Sequence, residues 1–147
     1  MEYLLEQMYA SADAIAAAVA DDSAFDDVAQ ATGYPIDMRD EHFWVSCSLQ
    51  AEVVPGDSGL AMFESAPKVG GGITVAQILM TDWAPIRARM LVLWKAFEPL
   101  IRADPTLGGT CSRAFIDGVE ARETLDDTKK GRLTVFWELD IEQYVGG

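Results

Sequence analysis

At 147 residues, half of them apolar and including six Phe, four Trp and four Tyr, the chain is the size of one domain and rich enough in large side chains to bury a core; this excludes a disordered polymer. Twenty-four acidic residues against 11 basic ones give a formal net charge of -13, which repels phosphate backbones and anionic membranes and argues against direct nucleic-acid binding. The charge is uneven: residues 1–42 hold ten acids against Arg39 alone, so this stretch carries -9 and the other 105 residues only -4.

Leu5, Met8, Ala12, Ile15 and Val19 recur at spacings of three and four, which predicts an amphipathic helix over residues 2–20. Glu2 and Glu6 precede its apolar positions where a secretory leader has cations, and no apolar run reaches the ~18 residues of a membrane span, so the expectation is a soluble intracellular protein. The acidic stretch 21–42, broken by Gly33 and Pro35, reads as an irregular, solvated connector with a helical turn near residues 25–31. Its pairs Asp21-Asp22 and Asp26-Asp27, like Asp126-Asp127 further on, lack the spacing of a calcium loop and read as a solvated face.

Phe43, Val45, Cys47, Leu49, Ala51 and Val53 alternate with Trp44, Ser46, Ser48, Gln50 and Glu52, the period of a half-buried strand. Residues 55–72, rich in Gly and Pro and ending in Gly70-Gly71-Gly72, read as a long flexible loop carrying Met62 and Phe63, which makes it a candidate binding arm. Within it Gly56-Asp57-Ser58-Gly59 has the letters of a serine-protease nucleophile loop. His42 lies only 16 residues upstream, however, and the chain is too short for the double barrel that positions such a triad. No Gly-Lys-Ser/Thr follows the glycine run, so it is not a phosphate loop. A second strand is expected over residues 73–80 from Ile73, Thr74, Val75 and Ile78.

Thr81 or Asp82 followed by Pro85 predicts a helix start, and Ile86, Met90, Leu93, Phe97 and Leu100 supply its apolar stripe; Pro99 lies inside the last turn, and Asp104-Pro105 with Gly108-Gly109 stop it. Two more strands are expected near residues 111–121 and 133–145, joined by a charged turn at 125–131. In the second, Leu133, Val135, Trp137, Leu139 and Ile141 point to the core, while Thr134, Phe136, Glu138, Asp140 and Glu142 point away. The predicted fold is a single α+β domain, with a mainly antiparallel sheet of four or more strands packed against two helices.

Catalytic machinery is not evident. His42 is the only imidazole, Cys47 and Cys111 lie 64 positions apart and read as structural thiols, and neither metal-ligand spacing nor a cofactor motif occurs. The expectation is a protein without enzymatic activity, metal or cofactor.

Residues 73–145 carry a strand, a helix ending in Ala103-Asp104-Pro105-Thr106-Leu107-Gly108-Gly109, a strand, a polar turn, and the alternating run Arg132-Leu133-Thr134-Val135-Phe136-Trp137-Glu138-Leu139-Asp140-Ile141. This order and phrasing resembles the tail terminator proteins of long-tailed bacteriophages and related tail-like particles. The resemblance implies a homo-hexameric ring at the head-proximal end of the virion tail. There it caps the tail tube, stops its growth and joins the tail to the neck proteins, after assembly in the host cytoplasm. On that reading Met62, Phe63, Phe136 and Tyr144 meet neighbouring subunits, and Glu138, Asp140 and Glu142 line a channel through which DNA passes without specific binding. The stretch 21–42 is longer and more acidic than the family pattern requires and reads as a decoration or a contact arm. Two alternatives accompany it. One is another neck or tube component, such as a stopper or tail completion protein; the other is a small-molecule-binding α+β domain with a closed apolar pocket.

Overall fold

The computed structural model describes the backbone of residues 2–32, 41–55 and 61–142, and the side chains of residues 5–30, 41–47 and 68–141. Among these, helix α1 (Glu2–Ala20) leads through a 3-10 turn (Ser23–Phe25) into strands β1 (Ala29–Thr32), β2 (His42–Pro55) and β3 (Ala61–Gln77). Helix α2 (Ala84–Ala103) and strands β4 (Arg113–Leu125) and β5 (Gly131–Glu142) complete the order. The strands form one five-stranded sheet, β1-β2-β3-β5-β4, antiparallel at every pairing except the parallel β1–β2 pair. This is the expected α+β architecture.

Both helices pack on one face of the sheet. From α1, Met8, Ile15 and Val19 are buried; from α2, Ile86, Met90, Leu93, Phe97 and Ile101 are buried, so Ile101 sits deeper than the expected Leu100. Beneath them lie Phe43, Val45, Val69, Ile73 and Val75 together with the predicted set Leu133, Val135, Trp137, Leu139 and Ile141. The centre is aromatic. Trp137 stacks on Phe43 with ring centroids 5.8 Å apart and meets Phe97 at 4.8 Å, while Phe25 stands edge-on to Phe43 at 5.7 Å. Offset and edge-on pairs of this kind add ~0.5–1.5 kcal/mol each beyond the area they bury.

Three local details differ from the sequence expectation. Trp83 occupies the N-cap of α2 without a side-chain bond, and Asp82 instead accepts from the Ala84 N–H at 3.0 Å. The connector 21–42 is not merely solvated: Phe25 and Val28 enter the core, and β1 adds a parallel strand to the sheet edge. Glu41, just ahead of β2, accepts two bonds from the Arg89 guanidinium of α2, at 2.6 and 2.9 Å, which ties this stretch down at both ends. Residues 33–40 lie outside the described residues.

The largest correction concerns the expected loop at 55–72. β2 ends at Pro55 and β3 begins at Ala61, so residues 61–72 are strand, and Val54↔Met62, Val53↔Phe63 and Trp44↔Gly72 are register partners. The glycines that suggested flexibility are there for space. The Trp44 ring lies over Gly72 on the face away from the helices, where a methyl group would collide with it. On the helix side, a methyl on Gly71 would run into the Trp44 carbonyl oxygen and come within 2.7 Å of Trp137 Cζ2. Two indoles thus lie against one strand, one on each face, because that strand has no side chains there.

The phrase 103–109 becomes a tight turn. Leu107, Gly108 and Gly109 have φ of 48°, 71° and 83°, left-handed values that glycine adopts without strain. Asp104 holds the turn by accepting from the Gly108 N–H at 2.7 Å and the Thr106 hydroxyl at 2.8 Å. Leu107 is buried, and Thr110 reaches Ser11 of α1 at 3.0 Å, so the turn is fastened to both helices.

Candidate assembly surfaces

The sheet is not of uniform width. β5 pairs with β3 only over residues 68–77, and β1 pairs with β2 only over residues 42–45. Residues 49–55 and 61–67 therefore pair, among the described residues, only with each other, and extend past the sheet as a two-stranded arm. An isolated two-stranded ribbon is marginal in water, because it has neither a third strand nor a packed face. Met62 and Phe63 belong to this arm by backbone register; their side chains lie outside the described residues. Pro67 and Pro55 are compatible with it, since a strand without neighbours on both sides tolerates a missing N–H.

At the other end of the sheet β4 is the edge, and among the described residues no strand pairs with its outer side. α2 runs alongside it in the opposite direction. Arg87 near the start of α2 holds Glu123 near the end of β4 through two hydrogen bonds, and Glu98, Ile101 and Arg102 share a cavity of about 440 Å³ with Arg113, Ala114, Phe115 and Ile116. Between these two fixed points Leu91, one turn beyond Arg87, is 56 % exposed, and Val119 of β4 is 54 % exposed. Both α2 and β4 thus carry an exposed large apolar side chain between those points.

The sheet face away from the helices carries the predicted channel residues. Glu138 accepts from the Lys68 ammonium at 2.7 Å, Asp140 lies 3.6 Å from it, and Asp117 3.4 Å. Asp117 reaches this cluster because the β4–β5 register slips between Ile116 and Gly118. A bulge of this sort re-aims one side chain without ending the strand. Three carboxylates from β4 and β5 thus surround one cation from β3. The Glu138 hydrogen bond, with the neighbouring Asp117 and Asp140, pushes the Lys68 ammonium above its ordinary value against the opposing effect of desolvation. Lys68 is not legible as their partner in the sequence because it lies in a segment that reads as loop. The side chain of Glu142, and Tyr144 altogether, lie outside the described residues.

Phe136 shares this face. It stands edge-on to Trp44 at 5.9 Å, with the Arg122 guanidinium 5.5 Å from its ring, and is half-buried by those contacts. Trp44 is 2 % exposed and Thr74 0 %, and Thr74 meets Thr134 at 2.9 Å, so the centre of this face is covered while its acidic end is open.

Other groups have structural tasks. Burial raises both thiols, Cys47 with help from Asp13, which keeps them in the unreactive protonated form. Asp22 caps the 3-10 turn through the Ala24 N–H, and Asp126 organises the β4–β5 turn by accepting from Thr128 and Lys130. His42 is half-buried opposite Thr74. Residues 56–59 lie outside the described residues. Among the described residues no group of three or more His, Cys, Asp or Glu is gathered to hold a metal ion, and no helix is long and apolar enough to cross a membrane. An apolar hollow of about 280 Å³ lies between α1, α2 and the 104–108 turn, lined by Ile15, Val19, Phe97, Leu100 and Leu107. Its one carboxylate, Asp104, is already engaged by Thr106 and Gly108. Compared with known proteins, the chain matches no family model and no curated protein.

Proposed function

We propose that this chain is a ring-forming structural protein of a phage-like tail, a tail terminator that caps the head-proximal end of the tube and joins it to the neck. The observation that carries the reading is the pairing deficit at two places among the described residues: an arm that leaves the sheet, and the edge strand β4 with exposed Val119. Unlike surfaces on one subunit generate head-to-tail contacts, which close into rings when the rotation allows. The resemblance in residues 73–145 supplies the kind of ring, six copies of 16.0 kDa, and its placement. The protein then works by shape and contact, without catalysis, metal or cofactor. Its partners are itself, the tube protein and a neck protein.

DNA leaves the head through such a ring. On this reading the Lys68 cluster with Glu138 and Asp140, together with Glu142, faces the passage. Three carboxylates about one ammonium leave it net negative, and a negative wall avoids the counterion-release attraction that cations would give a passing duplex. At physiological salt the screening length is ~8 Å, so only carboxylates near the backbone contribute.

Electron microscopy of particles made with and without the gene product tests the placement. Loss of the protein gives overlong tails that fail to join heads, and restored protein appears as a disc at the head-proximal end. Tails of normal length joined normally to heads in its absence overturn the reading.

A further inference from the structure

The structure assigns residues 22–32 a role as a releasable strap over the outer edge of β2, with Arg89 of α2 as its clasp. The role is independent of the ring reading.

The strap is held by little. From Asp21 to Gln30 only Phe25 and Val28 are buried, and every other side chain is half-buried or exposed. β1 contributes four parallel pairs at the sheet edge, from Ala29↔His42 to Thr32↔Val45. Ala29 and Gln30, successive positions that point to opposite faces of the sheet, are nevertheless both exposed. The strand therefore depends on its backbone bonds and on what grips the chain to either side of it. Few buried apolar contacts and backbone bonds open to water mark segments that open on their own, before the domain unfolds.

The grip is one guanidinium. Arg89 donates to both carboxylate oxygens of Glu41, at 2.6 and 2.9 Å, and its Nη2 also reaches the Ala24 carbonyl at 3.5 Å. Ala24 stands just before the two buried residues of the strap, and Glu41 stands where the chain enters β2, its own carbonyl accepting from the Ala29 N–H at 3.0 Å. A single side chain of α2 thus holds the excursion at both ends. Asp21, Asp22, Asp26, Asp27 and Glu41 give the stretch one sign of charge, and Asp27 acts on the same guanidinium. Without the cation these acids repel one another.

Opening changes the sheet edge. β1 covers residues 42–45 of β2, while residues 46–55 pair, among the described residues, with β3 alone. Release therefore lengthens the bare edge from ten residues to the 14 of His42–Pro55. A bare edge is a template for another strand, and covering it is a common protection. The strap sets how much of that template is shown. It carries Phe25 away from Phe43, which it meets edge-on at 5.7 Å, while the contacts of Phe43 with Phe97 and Trp137 do not involve it.

Native-state hydrogen exchange on the full chain, resolved by amide and repeated at low urea concentrations, tests the strap. The reporters are the Phe25, Val28 and Ala29 N–H groups, which donate to the carbonyls of Asp22, Phe25 and Glu41; the reference is β5, paired on both sides. In the wild type the reporters are expected to exchange together, roughly a hundredfold or more faster than β5 and with a weaker urea dependence, because the opening exposes less surface than unfolding. Reporters that exchange at the β5 rate with the β5 urea dependence make this stretch part of the core and overturn the strap. Arg89→Gln and Glu41→Ala are each expected to speed the reporters roughly tenfold, the loss of hydrogen bonds between charged groups. The double variant is expected to match the stronger single one, since both remove the same contact. If the singles speed β5 but leave the reporters unchanged, the contact survives opening and Arg89 is not the clasp; if the two effects multiply in the double variant, the residues act separately and the clasp is equally wrong.

Discussion

Adding one methyl group at Gly71 and at Gly118 separates a strand under two indoles from a flexible glycine loop. At Gly71 the new carbon meets the Trp44 carbonyl oxygen and lies 2.7 Å from Trp137 Cζ2. The first neighbour is backbone inside a paired strand and the second is a ring held by Phe43 and Phe97, so neither yields cheaply. Overpacking of this kind costs ~1–3 kcal/mol, and the gain from replacing glycine in a strand returns only ~0.5–1 kcal/mol. With backbone as the first obstacle, Gly71→Ala is expected to lose about 2 kcal/mol net, a sizeable part of the ~5–15 kcal/mol that holds a domain folded. For a chain of this length that lowers the melting temperature by roughly 5–8 °C. At Gly118, also in a strand, nothing lies within 4 Å of the new carbon, and Gly118→Ala is expected to be neutral or to stabilise by ~0.4–1 kcal/mol. Urea denaturation with a common slope reads both changes as shifts in midpoint. If the two substitutions move the midpoint equally, the glycines do not make room for tryptophan, and the account of β3 given above is wrong.

Trp137→Ala removes the centre of the aromatic cluster and is expected to cost ~3–5 kcal/mol in the same assay; a change under 1 kcal/mol means the sheet's faces are reversed. The indole N–H of Trp137 is buried without a partner among the described residues, so Trp137→Phe is expected to cost clearly less than Trp137→Ala. Asp104 lies below its ordinary 3.8, mainly through the Thr106 hydroxyl and then the Gly108 N–H. A depressed carboxyl stabilises the fold above its unfolded value and loses that contribution as pH falls through the folded one. Asp104→Asn therefore destabilises at neutral pH, and the gap from wild type narrows as pH drops below about 4; a gap independent of pH refutes the assignment. Changing Glu138, Asp140 and Glu142 together to Lys is expected to leave ring formation and tail length near normal while slowing DNA ejection. Normal ejection removes these acids from the channel wall, and failed assembly moves them to a joint between copies.

Much of the fold was legible because periodicity is local. The three- and four-residue spacing in residues 2–20 and 86–100 marked both helices, and alternation in β5 assigned every core residue from Leu133 to Ile141 to the correct face. A repeat of 3.6 or 2 is written in neighbouring residues, and burial of one face follows directly from it.

Pairing is not local. That β5 lies between β3 and β4, that β1 joins parallel to β2, and that Lys68 sits among three carboxylates depend on which strands meet, which no window of sequence contains. The glycine run shows the limit most clearly. Gly70-Gly71-Gly72 has no side chains to reveal its period, so its sequence reads as flexibility, while the reason for it lies in Trp44 and Trp137, 28 and 66 positions from their partners Gly72 and Gly71 in the register. The sequence by itself determined the elements, their faces and the acidic balance. Only the tertiary structure decided which strand edges lack a partner among the described residues, because an edge is defined by the strand that is absent from it.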